Sequence, residues 1–218
     1  MQDFKVELFD NVGLEQEINL HAKVVNFTKG ETLFYGTQLM RYFYIIISGT
    51  IKVYQLNLHN AKEQTIFVFS KGDMFDTIIL LDKEPHDVMY EALEDCEVMQ
   101  LPLEKVRGWI QNNPNFNQRF FPYLAAQMRH TEELATDLAL HSTGERLIKL
   151  ILQNLDTNQE HHFNLINNIS HSEIAKLIGT VRHVVERHLH TLKKEGAIEQ
   201  TQRKHIMIKD IQKLLDKL

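Results

Sequence analysis

Ile169-Ser170-His171-Ser172-Glu173-Ile174-Ala175-Lys176-Leu177-Ile178-Gly179-Thr180-Val181-Arg182-His183-Val184-Val185-Glu186-Arg187-His188-Leu189-His190-Thr191-Leu192 reads as two short helices around a tight corner. Ser170 and Glu173 have the spacing of a capping box, each side chain meeting the other residue's backbone N–H. Ile174, Leu177 and Ile178 then recur at helical spacing. Gly179 falls where the first helix must stop, since a left-handed residue there costs least without a Cβ. Thr180 is placed to cap a second helix, with Val181, Val185, Leu189 and Leu192 on one face. Arg182, His183, Glu186 and Arg187 occupy the opposite face. This is the pattern of a helix-turn-helix whose second helix reads base edges. The same residues would also suit an ordinary helix pair with a solvated charged face.

The chain immediately downstream favours nucleic acid. Gly196 opens Ala197–Thr201, then Gln202-Arg203-Lys204, then His205–Ile208. Two short runs around a polar turn predict a β-hairpin. With the helix pair this makes a winged helix, and Arg203 and Lys204 at its tip suit phosphate contact. The DNA-binding set is therefore Ser170, His171, Ser172, Thr180, Val181, Arg182, His183, Glu186, Arg187, Arg203 and Lys204.

The chain has 218 residues, 43% of them apolar, enough for two domains with real cores. No run of eighteen apolar residues exists, and Met-Gln-Asp-Phe-Lys-Val-Glu at the start lacks the regions of a signal peptide. The expectation is a cytoplasmic protein with no membrane partner. A single cysteine, Cys96, cannot form an intrachain disulfide or alone hold an iron–sulfur cluster or structural zinc. The net charge is −5 but unevenly spread. From Ser142 onward 12 Lys+Arg face 9 Asp+Glu, while before it 12 face 20. The weak basic footprint falls on the helix-turn-helix half.

The N-terminus reads as a helical lead-in (Phe4, Leu8, Phe9, Val12, Leu14, Ile18), and from Ala22 the pattern turns to strands. These are Val24–Phe27, Leu33–Tyr35, Tyr42–Ile47, Ile51–Tyr54, Thr65–Phe69, Tyr90–Leu93 and Glu97–Leu101. Tyr42–Ile47 and Ile51–Tyr54 read as a hairpin around Gly49. Short segments with glycine turns predict an antiparallel jelly roll, which could equally be a β-domain without a ligand. Leu103–Asn112 is a short helix, and a longer one is expected from Asn115 to Leu140. Pro122 should kink it or delay its regular start to about Tyr123. Phe120, Leu124, Gln127, Thr131, Leu134 and Leu138 step along it. A parallel pairing across a two-fold axis would bury that stripe. Ser142-Thr143-Gly144 forms a hinge, and Glu145–Asn154 opens the last domain. Asp156–Glu160 is a polar loop, and Asp210–Leu218 a helix with Ile211, Leu214 and Leu215 inward. The fold class is α+β, in three parts: a sensor β-roll over 1–112, a dimerisation helix over 113–141 and a winged helix over 142–218.

In this order the motifs resemble the Crp–Fnr superfamily of bacterial transcription regulators. The matching residues are Lys29–Phe34, Tyr44 with Ser48–Val53, Lys71-Gly72-Asp73, Cys96-Glu97-Val98, Asn113-Pro114 and Thr143–Arg146. Glu173-Ile174-Ala175 through Gly179, with Arg182 and Arg187, complete them. The resemblance implies a homodimer that binds promoter DNA at a palindromic operator, with RNA polymerase as a further candidate partner.

It also brings departures. Members that bind cyclic nucleotides carry Phe-Gly-Glu, an apolar stretch, then Arg-Ser or Arg-Thr. Here the run is Phe75-Asp76-Thr77-Ile78-Ile79-Leu80-Leu81, then Pro85-His86. Asp76 replaces the glycine, Thr77 the ribose-binding glutamate, and Pro85 or His86 the arginine. A buried phosphate needs a fixed cation, and an acid beside it makes its site worse. The adenine-contacting Thr-Ser pair reads Thr131-Glu132. The expected effector pocket (Asp76, Thr77, Ile78, Pro85, His86, Thr131) should thus bind cyclic AMP weakly or not at all, leaving no cofactor or an unknown small effector. In the second helix, His183 stands where the family's base-reading glutamate falls. Twelve histidines keep open a haem- or metal-dependent gas or redox sensor. A cupin-like metal enzyme is the reading from another class. It needs His-x-His with further ligands on barrel strands, and residues 22–101 carry only His59 and His86. No catalytic motif stands out, so the reading is a regulator rather than an enzyme.

Overall fold

The computed structural model describes residues 13–33, 38–153, 169–200 and 206–218. The described chain forms two compact units. One holds residues up to Gln55 with Ile66–Thr131, and the other Leu56–Thr65 with Glu132–Leu218.

In the first unit α1 (Glu15–His21) leads into β1 (Lys23–Phe27), β2 (Thr32–Leu33), β3 (Tyr42–Ser48), β4 (Ile51–Asn57), β5 (Lys62–Phe69) and β6 (Met74–Phe75). A short helix, α2 (Thr77–Asp82), precedes β7 (Met89–Ala92) and β8 (Cys96–Pro102). The strands form two four-stranded sheets, in the orders β1-β8-β3-β6 and β2-β7-β4-β5. Central strand β3 is buried on both faces. Tyr44 stacks on Phe75 at 5.2 Å, and Phe75 meets Tyr90 of the other sheet at 5.1 Å. Phe43, Ile45, Met99 and Leu101 take the opposite face, and α3 (Leu103–Asn112) packs against β3 and β8. Double burial explains why Tyr42–Ile47 is a continuous apolar run rather than an alternating one.

The expected hairpin between β3 and β4 does not form, because the two strands lie in different sheets. Gly49, at φ 89°, carries the chain across. A Cβ there would come within 2.6 Å of the Asp95 carbonyl and the Cys96 sulfur. The turn is tight because β8 begins against it.

Helix α4 (Pro114–Leu140) starts one residue earlier than expected. Asn113 Oδ1 accepts the Phe116 N–H, and Pro114 occupies a first-turn position that needs no donor. The helix is continuous through Pro122, so its regular start is not delayed. Phe120 is fully buried with Phe116 and Trp109 in the roll's core. It is thereby withdrawn from any two-fold seam.

The second unit contains α5 (Thr143–Gln153), α6 (His171–Leu177), α7 (Arg182–Lys194), β9 (Ile198–Gln200), β10 (Ile206–Ile208) and α8 (Ile211–Leu215). Helix α5 begins two residues before the expected Glu145, capped where Ser142 N–H donates to the Glu145 carboxylate at 2.6 Å and Ser142 Oγ accepts the Glu145 N–H. Leu147, Ile151, Ile174, Val185, Leu189, Leu192, Ile198 and Leu214 form the core. Strands β9 and β10 pair antiparallel as a hairpin. Of the last helix only Leu214 is buried. Ile211 and Leu215 are exposed, since α8 has a single inward turn. Asp156–Glu160, His161, His162, Arg203, Lys204 and the lead-in residues Phe4, Leu8, Phe9 and Val12 lie outside the described residues.

Candidate nucleic-acid interface and effector site

Ser170 caps α6 by accepting the Glu173 N–H at 3.2 Å, while the Glu173 carboxylate pairs with Lys176 at 2.8 Å. Lys176 also reaches Glu63, and Gln64 Nε2 donates to the Leu177 carbonyl, so the β4–β5 turn belongs to this unit. Gly179 takes φ 68°, a conformation that strains residues with a Cβ. The cap of α7 is Val181 rather than Thr180, and no side chain bonds at that cap. Val181 is 51% exposed. It shares the spacing of the buried stripe but precedes the first helical turn, which turns it outward.

Val185, Leu189 and Leu192 hold α7 on the core, leaving Arg182, His183, Glu186 and Arg187 exposed together. Arg182 Nε donates to Glu186 Oε1 at 2.7 Å, and His171 Nδ1 lies 3.6 Å from the same oxygen. Arg182 first, and then His171, hold the Glu186 carboxyl below its usual range. His188 faces inward, its Nε2 3.1 Å from Thr143 Oγ1, and burial followed by the Arg187 charge lowers its pKa. The outer face of α7 therefore presents guanidinium and imidazole donors, the chemistry that reads acceptor edges of purines in the major groove. Ser170 and Ser172 are exposed and His171 is half-buried at the start of α6.

In the roll, the predicted pocket residues separate. Asp76, Thr77 and His86 come together, whereas Ile78, Pro85 and Thr131 are exposed. Helix α2 explains the split. Ile79 and Leu80 enter the core while Ile78 and Leu81 face solvent, so the apolar run is not a pocket wall. Thr131 spends its hydroxyl on the Gln127 carbonyl one turn back. Asp76 precedes α2 in a left-handed conformation (φ 60°, ψ 38°), and its side chain makes no cap bond. His86 Nδ1 lies 3.2 Å from Asp76 Oδ1. Thr77 Oγ1 donates to Gln127 Oε1 at 2.9 Å.

Sequence reasoning missed several supports. Tyr123 hydroxyl donates to the Met74 carbonyl at 2.7 Å, and Gln127 Nε2 reaches the same carbonyl. Gln127 and half-buried Leu124, expected on the seam, are thus turned at least partly to the roll. Leu134 is half-buried, and Leu138 is 39% exposed. Arg107 donates to the Ile79 and Leu80 carbonyls and pairs with Glu104, anchoring the end of α2. An arginine inside the apolar face of α3 is the only trace of this in the sequence. Among the described residues no three His, Cys, Asp or Glu side chains gather as metal ligands. Nor is any helix there long and apolar enough to cross a membrane.

A β-roll followed along the chain by a winged helix-turn-helix defines the class of DNA-binding transcription regulators with a cyclic-nucleotide-binding-type domain. Residues 24–113 match the cyclic nucleotide-binding domain family and residues 145–217 the Crp-like helix-turn-helix domain family. The chain belongs to the Crp–Fnr superfamily, a family of transcription regulators rather than of enzymes. It is 24% identical over 193 residues to the CRP-like cAMP-activated global transcriptional regulator of Mycobacterium tuberculosis, spanning 87% of this chain and 85% of that one. It is 28% identical over 177 residues to the cyclic AMP receptor protein of Thermus thermophilus, spanning 79% and 77%. A CooA mutant from Carboxydothermus hydrogenoformans has the same fold, with TM-score 0.80, 20% identity and 100% and 96% of the two chains aligned.

Proposed function

We propose that this regulator acts as a homodimer on a palindromic operator and is not controlled by cyclic AMP. The observation that carries the effector reading is Asp76, a buried carboxylate that by resemblance stands at the glycine position of the family's phosphate cassette. Two anions brought together away from water repel strongly, and His86 already spends its ring on the carboxylate. A ligand shifts an inactive–active equilibrium only through its differential affinity for the two states. A nucleotide that does not bind cannot switch the protein. Calorimetry with millimolar cyclic AMP and cyclic GMP should give no heat of binding, and neither should change DNA affinity. Micromolar binding, or a tenfold gain in affinity, overturns the reading.

The dimer reading rests on the apolar side chains that α4 leaves in solvent, among them Met128 at 73% and Leu138 at 39% exposure. Leu134→Asp should abolish both the dimer and operator binding while the roll stays folded. A light-scattering mass that remains dimeric sinks this seam. A dimer of this kind takes half-sites whose centres lie one helical turn apart, roughly 34–36 Å. A cytoplasmic location and contact with RNA polymerase belong to the same reading.

A further inference from the structure

The inner face of the sheet β1-β8-β3-β6 carries an amide that the core of the roll does not use. The register sets Gln100 between Lys23 of β1 and Tyr44 of β3. Strand alternation then places Val25, Phe27, Tyr42, Tyr44 and Gln100 on one face, the face on which Tyr44 meets Phe75. Two residues before Gln100, Val98 is fully buried beside Ile46, as a roll interior requires. Gln100 is half-buried, and its carboxamide makes no hydrogen bond among the described residues. The same holds for the carboxamide of exposed Gln38.

These side chains border a cavity of about 320 Å³, at the small end of the roughly 300–1,000 Å³ usual for ligand sites. Val25, Phe27, Tyr42 and Tyr44 line it together with Gln38 and Gln100, and no lining side chain is charged. Burial first, and then the neighbouring Tyr42 and Asp76, push the Tyr44 phenol well above its usual range, so that group stays neutral too. None of the residues from Asp76 to His86 lines the cavity. An ion taken in here would lose water without meeting an opposite charge. Aromatic rings and a valine suit a flat apolar body. A carboxamide offers an acceptor and a donor side by side, and is matched by a ligand edge that carries the same pair.

We propose that this cavity binds a small, neutral, planar aromatic molecule with a carboxamide or lactam edge. Its ring lies against Tyr42 and its edge pairs with Gln100, with Gln38 as the second amide. Because the cassette residues take no part, binding here neither needs nor excludes a nucleotide.

The test is ligand-observed NMR on the full chain with nicotinamide, benzamide and 2-pyridone. Benzoate and benzamidine keep the ring but carry a charge, and cyclohexanecarboxamide keeps the amide but is not planar. The first three probes should bind and the last three should not. Q100L, close in shape but without the amide, should weaken nicotinamide about tenfold. Q38L, at an exposed position, should weaken it less, and Q118L, on the exposed side of α4, should leave it unchanged. Near-UV circular dichroism checks that each variant is folded, and should Q100L fail that check, Q38L and Y42L decide in its place. Equal binding of nicotinamide and benzoate, of benzamide and cyclohexanecarboxamide, or no binding by any planar amide overturns the proposal. So does nicotinamide binding that survives Q100L, or Q38L with Y42L, or that Q118L weakens as much.

Discussion

The outer face of α7 and the buried start of α2 both concentrate polar groups, but the first holds them in water and the second inside a core. On α7, Arg182, His183, Glu186 and Arg187 are exposed and rest on an apolar stripe that does only structural work. At α2, Asp76 and Thr77 are themselves buried within the roll. Surface groups can change what they recognise without touching stability. Buried ones cannot, because every donor and acceptor there is also a term in folding.

That contrast breaks most visibly at Phe120. If it is core, as its burial with Phe116 and Trp109 indicates, Phe120→Ala should cost the roll about 3–5 kcal/mol in chemical denaturation. A variant with unchanged stability but altered mass would return Phe120 to a seam. Next comes α7. Arg187→Ala should cost about 1–3 kcal/mol on the specific operator and relax preference at one base pair, with the melting curve unmoved. Unchanged binding to specific and scrambled DNA would show that α7 does not read bases.

A smaller effect is expected where the helix-turn-helix meets its own scaffold. Ser170→Ala removes the acceptor for the Glu173 N–H and should cost about 1 kcal/mol in denaturation of the second unit. The smallest is a pH effect at His188, whose depressed pKa favours the neutral ring in the folded state. Its contribution is intact above the ordinary value of 6.5 and lost as pH falls through the lower folded value. Melting curves between pH 7.5 and 5 should therefore fall less steeply for H188Q than for the unsubstituted chain. Parallel curves would remove His188 as the cause.

The winged helix was the more legible half because its signals are local. Ser170, Gly179 and the Val185–Leu192 stripe each act within one or two turns of chain, and the structure has them where spacing put them. Val181 misled for the same reason: spacing alone does not show where a helix begins. In the roll the decisive facts are distant. Nothing around Ser48-Gly49-Thr50 distinguishes a hairpin from a crossing between sheets, since the difference lies in β8, almost fifty residues on. The α4 stripe announces an apolar face without naming what covers it. Asp76 was legible as a departure, but its approach to His86 ten residues away depends on how α2 folds.

The pairing of β1 with β8 joins Lys23–Phe27 to Cys96–Gln100, some seventy residues apart. A ribosome adding roughly 5–20 residues per second leaves β1 without its neighbour for about 4–14 s. During that interval Val24, Val25 and Phe27 are an unpaired edge of the kind that recruits other chains. The helices of the winged unit close through contacts much nearer in sequence. Newly made chains are thus most exposed to misassembly before the sensor is finished, and yield in a cell should respond to translation speed over residues 28–95 more than over the DNA-binding half.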